Sequence, residues 1–443
     1  MTEGDRARVL RLLKQHGWNA TSFQTLEPGF SYWFDAERAA VAYVDTGRAW
    51  VAAGAPIAAE PELLAVAQRF LEAARASGRR ACFFAVEERF RPDFLRRTPI
   101  GEQPSWEPSA WSEVLAQSKS LREQLRRAKN KGVTVRSLSP EELREDLRSS
   151  ELSPVVERWL SSRPMAPMGF LVQLHLSTFA EERRCFVAER GGEVVGLLHA
   201  VPVYARRGWF FEDLLRDPKA PNGTVEALID AAMQRALAEG AEYVTLGLVP
   251  LAGELPRILS VVRQLGRGLY DFEGLRTFRA RLYPKAWNPV FLSWPAEQSA
   301  VSSFADALTA FARGSFLRFG LATVMRGPRF LITAMALLLV PWTALIACVD
   351  GERWFHSTLL QWAWVAFDVV LLFLLHQLSR SWRRWLIRLL AGLITADAGL
   401  TLFQALRWPP MVPPAWGLVV SAVAVFGPAF SALLLWRAHA HRG

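Results

Sequence analysis

The residues best suited to chemistry are Glu212, Asp213 and Arg216, in the run Phe211-Glu212-Asp213-Leu214-Leu215-Arg216. They close an apolar, aromatic-rich stretch that reads as a strand. A carboxylate at a strand end can serve as a general base or hold a substrate amine. An arginine three residues on can offer two parallel N–H bonds to phosphate, or contact a polarised carbonyl. The same spacing also suits a plain surface ion pair, worth less than about 1 kcal/mol. Pro221-Asn222-Gly223 follow and precede a helix-patterned segment from Thr224 to Glu239. A helix N-terminus presents free N–H groups and partial positive charge, so Asn222 and Gly223 could hold an anion or oxyanion. They could equally be a cap and a turn.

A third group is basic. Arg122, Arg126 and Lys129 share one face of a helix expected over Ser118 to Lys131, with Arg127 and Lys131 beside them. Such a face suits tRNA phosphates or anionic lipid headgroups, and equally a solvated surface. The seven His are scattered, and Cys82, Cys185 and Cys348 form no CxxC. Neither a disulfide framework nor a metal site is expected. No Ser-His-Asp or Cys-His arrangement stands out.

Two similar sets of elements position these residues. The first has strands at Ala39 to Asp45 and Ala49 to Ala53, a helix from Glu60 to Ser77, and a strand at Ala81 to Val86. The second has strands at Cys185 to Glu189, Val194 to Tyr204 and Trp209 to Leu214, the helix Thr224 to Glu239, and a strand at Tyr243 to Leu248. Each set reads hairpin, turn, helix, strand, which predicts an α/β fold with a mixed sheet. The order is similar to that of the N-acetyltransferase (GNAT) fold, here duplicated in tandem.

Four windows near the C-terminus are long and almost uncharged: Phe330 to Val349, Thr358 to Leu378, Leu386 to Leu406, and Trp416 to Trp436. Each approaches the roughly 20 residues that cross a bilayer as a helix. Arginines flank the first span's start, the turn between the second and third, and the end of the fourth. The positive-inside rule therefore predicts that both termini are cytoplasmic. The net charge is +10, but from Ser315 onward there are 11 Arg, no Lys and 4 acidic residues, a balance of +7. Most of the basic excess is thus topological, and it says little about nucleic acid. Met1 to Trp18 lacks the apolar core of a signal peptide.

Further motifs carry a family resemblance. Asp213-Leu214-Leu215-Arg216 matches an Asp-Leu-x-Arg element. Ala42-Tyr43 and Gly54-Ala55-Pro56 match a tyrosine strand and a Gly-Asp-Pro turn, with Ala55 in place of Asp. Trp159, Gly169 and Phe170 fit a segment opening the second lobe. Gly247, Pro250 and Leu251 fit a Leu-Gly-x-x-Pro-Leu element. Phe278 to Trp287 fits a Phe-Lys-x-Lys-Phe-x-Pro-x-Trp stretch in which both lysines are arginine, Arg279 and Arg281. Over Phe30 to Trp294 the chain resembles the catalytic domain of the bacterial phosphatidylglycerol lysyltransferases, the aminoacyl-phosphatidylglycerol synthase or multiple peptide resistance factor family.

The resemblance implies transfer of an amino acid from aminoacyl-tRNA to an anionic phospholipid at the bacterial inner membrane. Aminoacyl-tRNA would be a co-substrate, and no cofactor is needed. It implies Asp213 as general base or amine-binding acid, with Glu212 a second candidate. Arg216 and the Asn222-Gly223 turn would supply positive potential. Arg279, Arg281, Arg122, Arg126 and Lys129 would contact substrate. The expected organisation is a first lobe over 1–117, a basic linker over 118–136, and a catalytic lobe over 137–299. An amphipathic juxtamembrane segment over 300–329 and four transmembrane helices over 330–443 complete it. Coenzyme-A acetyltransferases carry a Gly-rich loop where this chain has only Gly223. An acyl-coenzyme-A-dependent N-acyltransferase is nevertheless the alternative enzyme, and an inactive membrane-tethered binding module the alternative of another class.

Overall fold

The computed structural model describes residues 3–149, 152–162, 169–172, 174–253, 272–312, 328–380, 384–408 and 414–440. The chain divides into two compact units, one within residues 1–319 and one within 320–443.

The first unit is built on a single mixed sheet of 12 strands. In chain order these are β1 (Ser31–Asp35), β2 (Ala39–Asp45), β3 (Ala49–Ala53), β4 (Arg80–Glu87), β5 (Leu95–Trp106), β6 (Val133–Leu138), β7 (Arg184–Arg190), β8 (Glu193–Val203), β9 (Gly208–Arg216), β10 (Tyr243–Thr245), β11 (Val249–Pro250) and β12 (Ala286–Pro295). Their spatial order is β1-β2-β3-β4-β12-β5-β10-β9-β8-β7-β6, with β11 paired to β5. Among the described residues, the α-helices of this unit up to β10 are α1 (Glu3–His16), α2 (Leu63–Ala76), α3 (Trp111–Gln117), α4 (Lys119–Asn130), α5 (Pro140–Ser149), α6 (Ser153–Ser162) and α7 (Thr224–Ala238).

Two strand pairs are parallel, β3 with β4 and β9 with β10. Parallel neighbours need a crossover longer than a hairpin, and α2 and α7 supply the two crossovers. The apolar face of α2 (Leu63, Val66, Ala67, Phe70, Ala74) packs on Val41, Ala52 and Phe83. Alternation along the same strands sends Ala42, Val51 and Cys82 to the other face, under the helix Ala300–Phe311. Both faces are covered, so these strands are apolar throughout. The face of α7 (Leu228, Ile229, Ala232, Met233) packs on Phe186, Leu198, Phe211 and Val244. The basic helix α4 joins that core through Leu121 and Ala128. It is a packed element of this core.

β5 and β12 lie where the sequence reading places no strand. Pro99, Gly101 and Pro104 in β5 and Pro289 in β12 look like breakers. They are accommodated because the β12–β5 ladder shifts register between Val290 and Phe291, and Gly101 takes φ +158°. A Cβ at Gly101 would lie 2.2 Å from the Val249 carbonyl oxygen, so β11 can approach only glycine there.

The second unit is helical: Pro328–Cys348, Gly351–Phe355, Thr358–Arg380, Arg384–Arg407 and Pro414–Ala440. Helices thus lie over all four apolar windows. Two stretches are long and apolar enough to cross a membrane, Thr358–Leu378 and Trp385–Arg407. The described parts of the outer two helices give shorter apolar stretches, Met335–Cys348 and Ala424–Leu433. Leu375, Leu378, Leu390, Ala391 and Leu435 pack inside. Leu337, Leu359, Phe373, Leu406 and Phe426 are exposed. Asp368 and Asp397 are buried, which invites bonds to each other or to Gln404. Instead Asp368 Oδ2 lies 3.2 Å from the Thr343 hydroxyl, which also bonds the Leu339 carbonyl (2.7 Å), Asp397 accepts from Thr401 (3.3 Å), and Gln404 from Trp364 (3.0 Å). A hydroxyl within reach of each acid makes a carboxyl–carboxyl bond unnecessary.

Of the juxtamembrane segment, Ala300–Phe311 is a helix, anchored by a two-bond Arg80–Asp306 pair at 2.8 and 2.7 Å. Residues 313–327 lie outside the described residues.

Candidate active site

β9 holds the site because it breaks the strand rule once. His199 of β8 pairs with Asp213, and Ala200 pairs with Phe211, so Glu212 is an extra residue. This β-bulge turns two consecutive side chains to one face. With strict alternation Asp213 would share the face of Phe211, inside the core beneath α7. The bulge sends Glu212 and Asp213 to the opposite face, beside His199. Alternation then resumes, with Leu214 toward α7 and Leu215 away from it.

Arg183, His199 and Gln24 meet the two acids, and Glu27 joins them through Arg183. Arg183, just before β7, is 1% exposed at its side chain. Its Nη2 donates to Glu27, its Nη1 to Glu212 Oε2 (3.2 Å), and its Nε to the Thr178 carbonyl (2.6 Å). The same Nη1 lies 3.4 Å from His199 Nδ1. His199 Nδ1 lies 3.5 Å from Asp213 Oδ2. Gln24 donates to Glu212 Oε1 (2.8 Å) and to the Leu171 carbonyl (3.0 Å). The Phe23 ring lies 5.0 Å from the Arg183 guanidinium carbon.

Two carboxyls therefore bond one buried guanidinium, and Asp213 stands beside them next to His199. Burial raises Glu27, Glu212 and Asp213 each to about 7, against the pull of Arg183. Burial, then Arg183, pushes His199 down to about 3, so its ring is neutral. Asp213 Oδ2, His199 Nε2 and Glu27 Oε2 are buried without a hydrogen-bond partner. Asp213 is the member nearest solvent, at 17% side-chain exposure against 5% or less for Glu27, Arg183, His199 and Glu212. His199, Glu212 and Asp213 bring potential ligand atoms within 4.8 Å of one another. Arg183 already places a fixed positive charge among them, so we assign no metal there.

Beside the cluster the sheet opens. β10 runs parallel to β9 only through Phe210 and Thr245. Beyond that point β10 ends, Gly247 turns away at φ +74°, and β11 joins β5 instead. Among the described residues, β9 from Phe211 to Arg216 has no strand partner on that side. Ligands of open α/β sheets bind at such a divergence, outside the carboxyl ends of parallel strands.

A family model described as "Phosphatidylglycerol lysyltransferase, C-terminal" matches residues 10–293. The chain belongs to that family. The phosphatidylglycerol lysyltransferase of Bacillus subtilis (strain 168) is 23% identical over 315 residues, which is 67% of this chain. The match spans 36% of that relative's length. Two solved structures share the fold. One is the C-terminal domain of a putative lysylphosphatidylglycerol synthetase from Agrobacterium fabrum, with TM-score 0.61, 23% identity, and 71% of this chain and 98% of that one covered. The other is L-PGS from Bacillus licheniformis, with TM-score 0.60, 21% identity, and 69% and 96% covered. The family match includes every member of the cluster and ends before the apolar helices.

Asp213 and Glu212 meet in the cluster, but Arg216 does not join them. It sits opposite Gly196, whose missing side chain leaves room on the α7 face, and its Nη2 donates to the Ala220 carbonyl (3.2 Å). Residues three apart on a strand point to opposite faces, so no Asp213–Arg216 ion pair forms. Asn222 is exposed, and Gly223 is buried at φ +94°. A Cβ on Gly223 would lie 2.1 Å from the Gln124 carbonyl oxygen of α4, so this glycine serves the contact between helices α4 and α7.

Arg126 and Lys129 are exposed on α4. Arg122 instead donates to the Leu115 (2.5 Å) and Ala116 carbonyls at the end of α3. Arg279 donates to the Gly247 carbonyl (2.6 Å), at the divergence of β10, while Arg281 is exposed.

Glu27, Gln24, Arg183 and His199 are absent from the sequence-derived candidates. The one local signal is His199, a polar residue inside Leu197-Leu198-His199-Ala200-Val201.

Proposed function

We propose that this chain is a membrane-anchored aminoacyltransferase. It moves an amino acid from aminoacyl-tRNA to a headgroup hydroxyl of an anionic phospholipid such as phosphatidylglycerol. The observation that carries the reading is a buried three-carboxyl cluster, opened by a β-bulge beside a diverging parallel pair, in a chain of the phosphatidylglycerol lysyltransferase C-terminal family.

The chemistry asks for little beyond orientation and proton handling. The donor ester is already activated, so the acceptor oxygen can attack its carbonyl directly. Asp213 handles the proton that leaves the acceptor and returns to the ribose oxygen. Backbone N–H groups on the open edge of β9 are suited to the developing oxyanion. Arg216 and Arg279 give positive potential on the α7 side and at the end of β10. A ligand in the opening can touch Asp213 from one face of the sheet and Arg216 from the other. Arg126 and Lys129 suit tRNA phosphates, with Asn222 and Arg281 as outer contacts.

In this reading the two hairpin–helix–strand sets are tandem GNAT-like lobes. The apolar helices are a four-span anchor in the bacterial inner membrane, with both termini cytoplasmic. Their outward Leu and Phe side chains support a lipid environment.

Mass spectrometry of total lipids from cells with and without the chain tests this. A new lipid heavier by one amino-acid residue supports the proposal and names both substrates. A fatty-acyl increment replaces it with acyl-coenzyme-A chemistry. An unchanged lipid profile, with the protein present in the membrane, removes the lipid acceptor.

A further inference from the structure

The hydrogen bonds of the cluster divide its three carboxyls into two kinds. Glu27 and Glu212 each accept an N–H from Arg183, and Glu212 accepts a second bond from Gln24. Charge-assisted N–H bonds favour the ionised carboxylate. Asp213 accepts no such bond. Its Oδ2 has no hydrogen-bond partner within ordinary range and lies 3.5 Å from His199 Nδ1. Arginine cannot give up its proton, so the His199 nitrogen beside Arg183 Nη1 is best used as an acceptor. An acceptor nitrogen facing a carboxyl oxygen needs a proton between them.

We propose that Arg183 and His199 are positioning residues that make Asp213 the carboxylic acid of the cluster. Arg183 keeps Glu27 and Glu212 as carboxylates and disfavours an N–H at His199 Nδ1, whose one lone pair is then shared between Arg183 Nη1 (3.4 Å) and Asp213 Oδ2 (3.5 Å). The proton then resides on Asp213 Oδ2 and is donated to Nδ1. The groups facing Asp213 are His199 from β8, Arg183 and Cys185 from the start of β7, Glu212 from its own strand, and Glu27 across the guanidinium. Cys185 is buried and its thiol is pushed up to about 12, so it stays neutral. All three carboxyls are raised to about 7 by burial, so the cluster holds protons at neutral pH. The bonding pattern decides where.

The role of that proton rests on the transferase reading. In the transfer, the acceptor oxygen bonds to the ester carbon and the bond from that carbon to the ribose oxygen breaks. Asp213 gives its proton to the departing ribose oxygen. The carboxylate left behind takes the proton from the attacking hydroxyl. Asp213 ends as it began, and no other acid or base is consumed.

Infrared spectroscopy of the full chain in detergent, with aspartate carboxyls labelled with 13C, reads the protonation without any substrate. It therefore separates failure of this inference from failure of the transferase reading. The expected result is a protonated-aspartate C=O band that fades as pH rises through 7. A component of it should be missing from Asp213→Asn and unchanged in Glu27→Gln. His199→Gln should shift its frequency, because the acceptor changes. Arg183→Lys should move the protonated-carboxyl signal from aspartate to glutamate. If Arg183→Lys does not fold, the Asp213→Asn comparison still decides. An aspartate band identical in wild type and Asp213→Asn, or a glutamate band lost in Glu27→Gln or Glu212→Gln, overturns the proposal.

Discussion

Asp213 is placed where its ionised form is disfavoured, and this links its chemistry to stability. Burial raises its folded-state value from 3.8 to about 7. A carboxyl raised on folding binds more protons in the native state, so its contribution is fully present at low pH. It is lost as pH rises from about 4 through 7. Asn at this position cannot ionise and escapes the loss. The stability of Asp213→Asn relative to wild type should therefore grow by about 4 kcal/mol as pH rises from 4 to 7 and level off above it. Denaturation midpoints across that range check it, and a pH-independent difference would refute the buried-acid assignment. His199, lowered to about 3, works in the opposite sense below 6.5. Because His199 faces Asp213, the comparison is made in a His199→Gln background, where this opposing titration is absent. Lipid aminoacylation by Asp213→Asn should be abolished, as measured by the mass-spectrometric assay, because an amide cannot shuttle the proton.

The packing of α4 on α7 makes separable predictions. Gly223 has φ +94° and no room for a Cβ against the Gln124 carbonyl. Gly223→Ala should cost about 1–3 kcal/mol, through both backbone strain and the displaced helix, read as a lowered Tm. On the outer side of α4, Arg122 caps the end of α3 whereas Arg126 and Lys129 are exposed. Arg122→Ala should lower Tm. Arg126→Ala with Lys129→Ala should leave Tm unchanged and weaken tRNA binding, with a shallower salt dependence. Equal tRNA affinity in that double variant would remove α4 from the binding surface.

These elements also show where sequence reading reaches and where it stops. Periodicity and turn residues locate β2, β3, β4, β7, β8, β9, α2 and α7 closely, because each buries a regular face. β5 and β12 are hidden by prolines that a bulged, register-shifted ladder tolerates. Glu212, Asp213 and Arg216 can be picked out by residue type and place. Their partition between two faces requires the bulge, and the bulge is a property of the β8–β9 register. Glu27, Arg183 and His199 come from distant segments, and only the folded sheet brings them to one guanidinium.

The second unit carries its own topology reporter. The chain has three cysteines, of which Cys82 and Cys185 are buried and Cys348 is exposed. Cys348 ends the helix Pro328–Cys348, next to the short Asp350–Phe355 segment, where the Asp350 carboxylate caps Glu352 and Arg353. Positive charge is sparse there and concentrated before that helix and between the next two. If the apolar helices span a membrane as proposed, the positive-inside rule predicts Cys348 on the outer side and the sheet unit in the cytoplasm. A membrane-impermeant maleimide added to intact cells, with the outer envelope permeabilised, should label the protein, and Cys348→Ser should abolish the label. Labelling only after the inner membrane is opened would invert the orientation. It would also remove the sheet unit from the compartment that holds aminoacyl-tRNA, so the donor assignment would fall with it.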